Sequence, residues 1–160
     1  MSDFSSDLSS ERAPISRSDY FVFFPITTRW MDNDIYGHVN NVTYYSYFDS
    51  AVNRYLIEEG GLDIQDAPVV GYVVNSQCHY RAPIAYPDKI EVGLRVNKLG
   101  NSSVTYGVAI FKQGQQEACA YGDFVHVFVD RAADKSVSIP PSIRSALEKL
   151  DINTQLEMTH

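Results

Sequence analysis

The chain has 160 residues, enough for one domain with a full hydrophobic core and too few for two. With 13 basic against 20 acidic residues its formal charge is −7, and no basic run offsets this locally, which makes nucleic acid and anionic membrane surfaces poor partners. No apolar stretch approaches the roughly 18 residues of a membrane span, and the Ser- and Asp-rich start carries no signal-peptide core, so the expectation is a cytoplasmic protein.

Residues 1–18 contain seven serines and scattered charges and cannot bury enough apolar area to offset their ordering entropy; they are expected to form a disordered arm. A single domain should follow over 19–150, with 151–160 as a flexible tail. The chain turns apolar at Tyr20 and reads as a strand to Trp30, with Pro25 marking an edge or a bulge. Beyond the polar segment 31–40 the period changes: Tyr44, Phe48, Ala51, Val52, Tyr55 and Leu56 recur at spacings of three and four, one face of a helix. Asn41 suits its N-cap and Gly60-Gly61 its C-terminus.

After the helix the period becomes two. Tyr72, Val74, Ser76, Cys78 and Tyr80 alternate with a polar set, and similar alternation runs over 90–97, 102–112 and 118–130. The connectors at 97–101 and 113–116 are hairpin length, so these strands are antiparallel. Pro140-Pro141 opens a short helix through Ile143 and Leu147. Cys78 and Cys119 each sit inside a strand-like run, which favours buried free thiols over a disulfide. One sheet with one apolar face and one substantial helix predict an α+β domain in which a curled antiparallel sheet wraps around that helix. The sheet's polar set (Asn75, Gln77, His79, Arg81) fits either solvent or a second copy, and at least a dimer is expected.

The most informative stretch is W-M-D-N-D-I-Y-G-H-V-N-N-V-T-Y-Y, from Trp30 to Tyr45. Two carboxylates, a glycine, a histidine and two asparagines precede a helix N-terminus, whose unpaired N–H groups and dipole favour negative charge. If Asp34 faces the same cavity, those donors can hold the charge that develops on a carbonyl while the carboxylate activates water or attacks directly. A thioester suits this equipment, because its thiolate leaves readily and no strong general acid is required. The same residues also have plain structural readings. Asp34 and Asp32 can be turn or cap residues, Asp32 with Arg29 as its partner, and Asn40 and Asn41 are turn and cap residues first, with any function through their backbone N–H groups. Gly37 answers either a positive φ or the close approach of a ligand. His38 is a polar residue at the helix entry or one that lines the site and orients water. A calcium loop fails at Tyr36 and Thr43, and the four histidines and two cysteines show no zinc spacing, so no metal is expected. No Gly-rich phosphate loop or nucleophile elbow occurs.

The run R-W-M-D-N-D-I-Y-G-H-V-N-N-V-T-Y-Y-S-Y-F-D, feeding a helix and then antiparallel strands, resembles the 4-hydroxybenzoyl-CoA thioesterase family of hotdog-fold acyl-CoA thioesterases. The resemblance spans about Phe23 to Leu147, its specific part Trp30 to Tyr55. It implies Asp34 as nucleophile or general base and the backbone N–H of Asn41 or its neighbour as the group that polarises the thioester carbonyl. It also implies a hotdog dimer, often paired into a tetramer, with the site between subunits and acyl-CoA as substrate; coenzyme A enters only as part of that substrate, with no separate cofactor. For the acyl pocket it points to Tyr72, Val74 and Asn75, with Gly37 and Asn40 near the reacting group. For the phosphates of coenzyme A it points to Lys98, Asn101, Ser102 and Ser103, where relatives carry paired arginines and this chain does not. Two other readings remain beside hydrolysis: a hotdog hydratase or dehydratase, whose usual Asp–His spacing is missing here, and a non-catalytic acyl-thioester binding protein.

Overall fold

The computed structural model describes residues 15–154. Strand β1 (Val22–Thr27) leads through a 3-10 turn (Trp30–Asp32) to helix α1 (Asn41–Gly60). Strands β2 (Val69–Tyr80), β3 (Lys89–Leu99), β4 (Ser103–Lys112), β5 (Ala120–Asp130) and the two-residue β6 (Lys135–Ser136) follow, and α2 (Pro141–Glu148) comes last. The strands form one antiparallel sheet in the order β1-β3-β4-β5-β2, with β6 added to β5. Consecutive hairpins join β3, β4 and β5, whereas β2 crosses to the far side and becomes an edge. This is the expected curled sheet around a long helix, the hotdog arrangement.

Helix α1 buries the stripe expected of it, Tyr44, Phe48, Ala51, Val52, Tyr55 and Leu56, and adds Tyr47. Phe48, Val52 and Leu56 are wholly inaccessible, each contributing about 1.5–3 kcal/mol by leaving water. Against them pack Ile90, Val92 and Leu94 of β3, Val108 and Ile110 of β4, and Phe124 and Phe128 of β5. The N-cap differs from the expectation by one residue. Asn40 holds the extended cap conformation and its side chain accepts from the Val42 N–H, which makes Asn41 the first helical residue. Gly61, at φ 69°, ends the helix as the Gly-Gly pair suggested.

Three sequence expectations are corrected in detail. First, β1 stops at Thr27, because the chain tightens into the 3-10 turn at Trp30. Second, β2 does not keep one phase: a bulge between Val73 and Asn75 shifts its register on β5, so Ser76 and Cys78 pair across from core residues while Tyr72 pairs with Val127 on the opposite face. Third, the last residues of the supposed arm are in place. Ser16 bridges to Glu117, Arg17 pairs with Glu91 at 2.7 Å and lies over the Phe23 and Phe111 rings, and Tyr20 meets Phe111 edge-on. The segment from Ile15 thus covers the outer face of the β1-β3-β4 half of the sheet. The rest of the arm, 1–14, and residues 155–160 of the tail lie outside the described residues; Asp151, the first residue of the tail, bridges to Val96. Cys119 is buried and Cys78 half-buried, both as free thiols. No helix among the described residues is long and apolar enough to cross a membrane.

Asp32 fastens the segment between β1 and α1. Its carboxylate, 3% exposed, accepts from the Arg29 N–H (2.9 Å), the Arg29 guanidinium (3.1 Å) and the Tyr47 hydroxyl (2.8 Å). Its own C=O accepts from the Asn40 N–H (2.9 Å). Burial by itself would raise the carboxyl pKa, but the Tyr47 and Arg29 hydrogen bonds and the Arg29 charge outweigh it and hold the group below its ordinary value of 3.8. A carboxyl lowered in this way contributes stability that is complete above the ordinary value and is lost as pH falls through the depressed one. Tyr47→Phe is therefore expected to cost about 2 kcal/mol at neutral pH and to move the acid-unfolding midpoint upward, as read from urea unfolding curves across pH; an unchanged midpoint would remove Asp32 from this role.

Candidate active site

Between Asn33 and Val39, which bridge antiparallel, the chain makes a tight loop. The Asp34 N–H donates to the His38 C=O (2.8 Å), the Gly37 N–H donates to the Asp34 C=O (3.1 Å), and Gly37 adopts φ 84°. A Cβ at Gly37 would meet nothing within 4 Å, so the glycine answers backbone conformation and not crowding. The loop is docked on the connection before β3: the Val39 N–H donates to the Ile84 C=O (2.7 Å) and the Tyr86 N–H to Asn33 Oδ1 (3.0 Å).

This docking presents Asp34 at the entry to α1. One carboxylate oxygen accepts from the Tyr36 N–H (2.8 Å), and the other has no partner among the described residues. Asp34, His38 and Asn41 line one cleft of about 390 Å³ together with Tyr36, Tyr80 and Arg81. Of the first N–H groups of α1, that of Val42 is capped by the Asn40 side chain and that of Thr43 bonds the Asn40 C=O. The Asn40 N–H is taken by Asp32, so the backbone route to substrate expected for Asn40 is closed; the Asn41 N–H is left without a partner among the described residues. The cleft thus holds an open donor on the positive end of a 20-residue helix and a half-committed carboxylate.

The other expected site residues lie elsewhere in the chain. Tyr72, Val74 and Asn75 are exposed on the β2 edge, away from the end of the strand that reaches Asp34. Lys98, Asn101, Ser102 and Ser103 are at the opposite end of the sheet, where the Asn101 side chain bonds Ser138 and the Ser102 C=O accepts from Phe128. Conversely, sequence patterning passes over two cleft residues, Tyr80 and Arg81, which read only as the end of an alternating strand. The Tyr80 hydroxyl donates to the Asn41 C=O (3.1 Å), and its ring meets Tyr44 edge-on at 4.9 Å, tying the end of β2 to the helix start.

The sequence profile of the thioesterase-like superfamily matches residues 28–147. Among solved structures, the PA5185 protein of Pseudomonas aeruginosa strain PAO1 is 60% identical, with a TM-score of 0.86 over 87% of this chain and 97% of that one. A thioesterase from Thermus thermophilus, solved in complex with coenzyme A and zinc, is 27% identical, with a TM-score of 0.68 over 82% of this chain and 94% of that one. The long-chain acyl-CoA thioesterase FadM of Escherichia coli strain K12 is 23% identical over 126 residues, 78% of this chain and 96% of that protein.

Because the space around Gly37 is open, its substitution tests conformation alone. Gly37→Ala is expected to destabilise by about 1–2 kcal/mol, and Gly37→Asn, which tolerates the left-handed region, by less; thermal unfolding of the pair measures this. Equal losses would mean that the positive φ is not what the position requires.

Proposed function

The chain belongs to the thioesterase-like superfamily, and we propose that it hydrolyses acyl-coenzyme A thioesters in the manner of the 4-hydroxybenzoyl-CoA thioesterases. The observation that carries this reading is the unpartnered Asn41 N–H sharing a cleft with Asp34. A thioester carbonyl oxygen set against that N–H gains stabilisation as it becomes an oxyanion, reinforced by the dipole of α1. The free oxygen of Asp34 either removes a proton from the attacking water or itself attacks the carbonyl carbon, giving an anhydride that water then opens. In both routes the C–S bond breaks, the electron pair leaves with sulfur, and water supplies the oxygen of the acid and the proton of the thiol. We assign His38, exposed on the same cleft, to orienting that water.

Two copies account for the scattered residues. β2 is a 12-residue edge with Tyr72, Val73 and Val74 about half exposed, an apolar strand that pairs readily with its own kind. Antiparallel pairing of two β2 strands about a two-fold axis brings the early part of one strand beside the late part of the other. The partner's pocket residues and its β3-β4 loop are then carried toward the end of the sheet where Asp34 sits.

Asp34→Asn is expected to lower kcat by several orders of magnitude, roughly the loss when a catalytic unit is broken, with thiol release from a panel of short, long and aromatic acyl-CoAs as the assay. Retention of most activity would reject the mechanism. Saturable binding without thiol release would favour a binding protein, and a dehydrated acyl product would favour the hydratase reading. Val74→Lys is expected to yield a monomer by sedimentation and to lose activity with the dimer; a fully active monomer would place the whole site within one chain.

A further inference from the structure

Arg81 is the one described arginine whose side chain has no partner. Arg17, Arg29, Arg54 and Arg144 are ion-paired with carboxylates, and Arg95 and Arg131 donate to side-chain or backbone oxygens. Among the described residues the Arg81 guanidinium meets no carboxylate, carbonyl or aromatic face. In a chain with 20 acidic residues against 13 basic ones this guanidinium is left uncommitted, and it lines the cleft that holds Asp34 and Asn41.

Its backbone is firmly placed. The Arg81 N–H donates to the Cys119 C=O at 2.8 Å, the Ala82 N–H donates to the same oxygen at 3.0 Å, and Pro83 follows. The side chain therefore starts from a fixed mount, is exposed, and lines the cleft. The surrounding charge gives this a purpose: a chain of net charge −7 repels an anionic substrate, and a local guanidinium offsets that repulsion where the substrate must enter. Arginine suits the task better than lysine, since its planar fork meets phosphate or carboxylate oxygens through two parallel hydrogen bonds.

We infer that Arg81 receives an anionic oxygen group of the thioester entering this cleft, either a phosphate of coenzyme A or a carboxylate carried on the acyl chain. The inference rests on the thioester reading above but concerns binding and not turnover. It assigns phosphate or carboxylate recognition to the end of β2, a different place from the β3-β4 loop.

The test is calorimetric titration of the full chain and of Arg81→Gln and Arg81→Lys with probes that cannot be hydrolysed. Coenzyme A against pantetheine isolates the phosphates; the S-carboxypropyl against the S-butyl thioether of pantetheine isolates an acyl carboxylate. Arg81→Gln is expected to weaken one anionic probe roughly tenfold and its neutral counterpart little, with partial recovery in Arg81→Lys and a smaller difference at high salt. The pair that responds identifies the anionic group. An unchanged unfolding midpoint in Arg81→Gln assigns the loss to the side chain and not to the fold. Equal binding of every probe by wild type and Arg81→Gln, or no binding of any probe by wild type, overturns the inference. Arg81-dependent binding without hydrolysis of any acyl-CoA would leave this inference standing and reject the proposed catalysis.

Discussion

The geometry of the candidate site depends on one buried carboxylate, that of Asp32, which is spent on hydrogen bonds to its own chain. Asp32 joins three segments at once: Arg29 at the exit of β1, Tyr47 one turn and more into α1, and Asn40 at the helix cap. With these fixed, the residues from Asn33 to Val39 have little freedom, and Asp34 must point outward. The two neighbouring acids therefore have opposite duties. The one held by three donors is structural, and the one with a free oxygen faces the cleft.

The same contact decides which helix donor stays open. Because Asp32 takes the Asn40 N–H and the Asn40 side chain takes the Val42 N–H, the capping groups are used up on either side of Asn41. The open Asn41 N–H is what remains after the helix start has satisfied its other needs. In an aspartate-and-asparagine-rich entry of this kind, single hydrogen bonds decide which polar groups are tied up and which stay open to the cleft.

Much of this is legible in the sequence because the signals are local. The three-and-four spacing of Tyr44 to Leu56 marks the buried face of α1, and the hairpin-length connectors mark β3, β4 and β5 as antiparallel neighbours. The cap falls one position from its expected place because Asn40 and Asn41 are chemically equivalent as cap residues; only the extended backbone of Asn40 separates them. The phase of β2 escapes the pattern because a bulge leaves no reliable mark in alternation. Tyr80 and Arg81 are passed over for a different reason. Their place beside Asp34 comes from β2 crossing to the far edge of the sheet, a long-range pairing that no local window contains.

The N-terminal segment from Ile15 to Tyr20 gives the sheet two unequal halves. Over β1, β3 and β4 it adds a second apolar layer around Phe111 and Phe23, opposite the layer formed by α1. β2 has a single neighbour and lacks that second layer. In a single chain the amide protons of β3 and β4 should therefore exchange with solvent near the global unfolding limit while those of β2 open through local fraying, and added protection of the β2 amides at higher protein concentration would report the pairing of two copies. The doubly covered strands are thus remote from the cleft, and beside the cleft the chain is held instead by two backbone hydrogen bonds, where the Arg81 and Ala82 N–H groups share the Cys119 C=O.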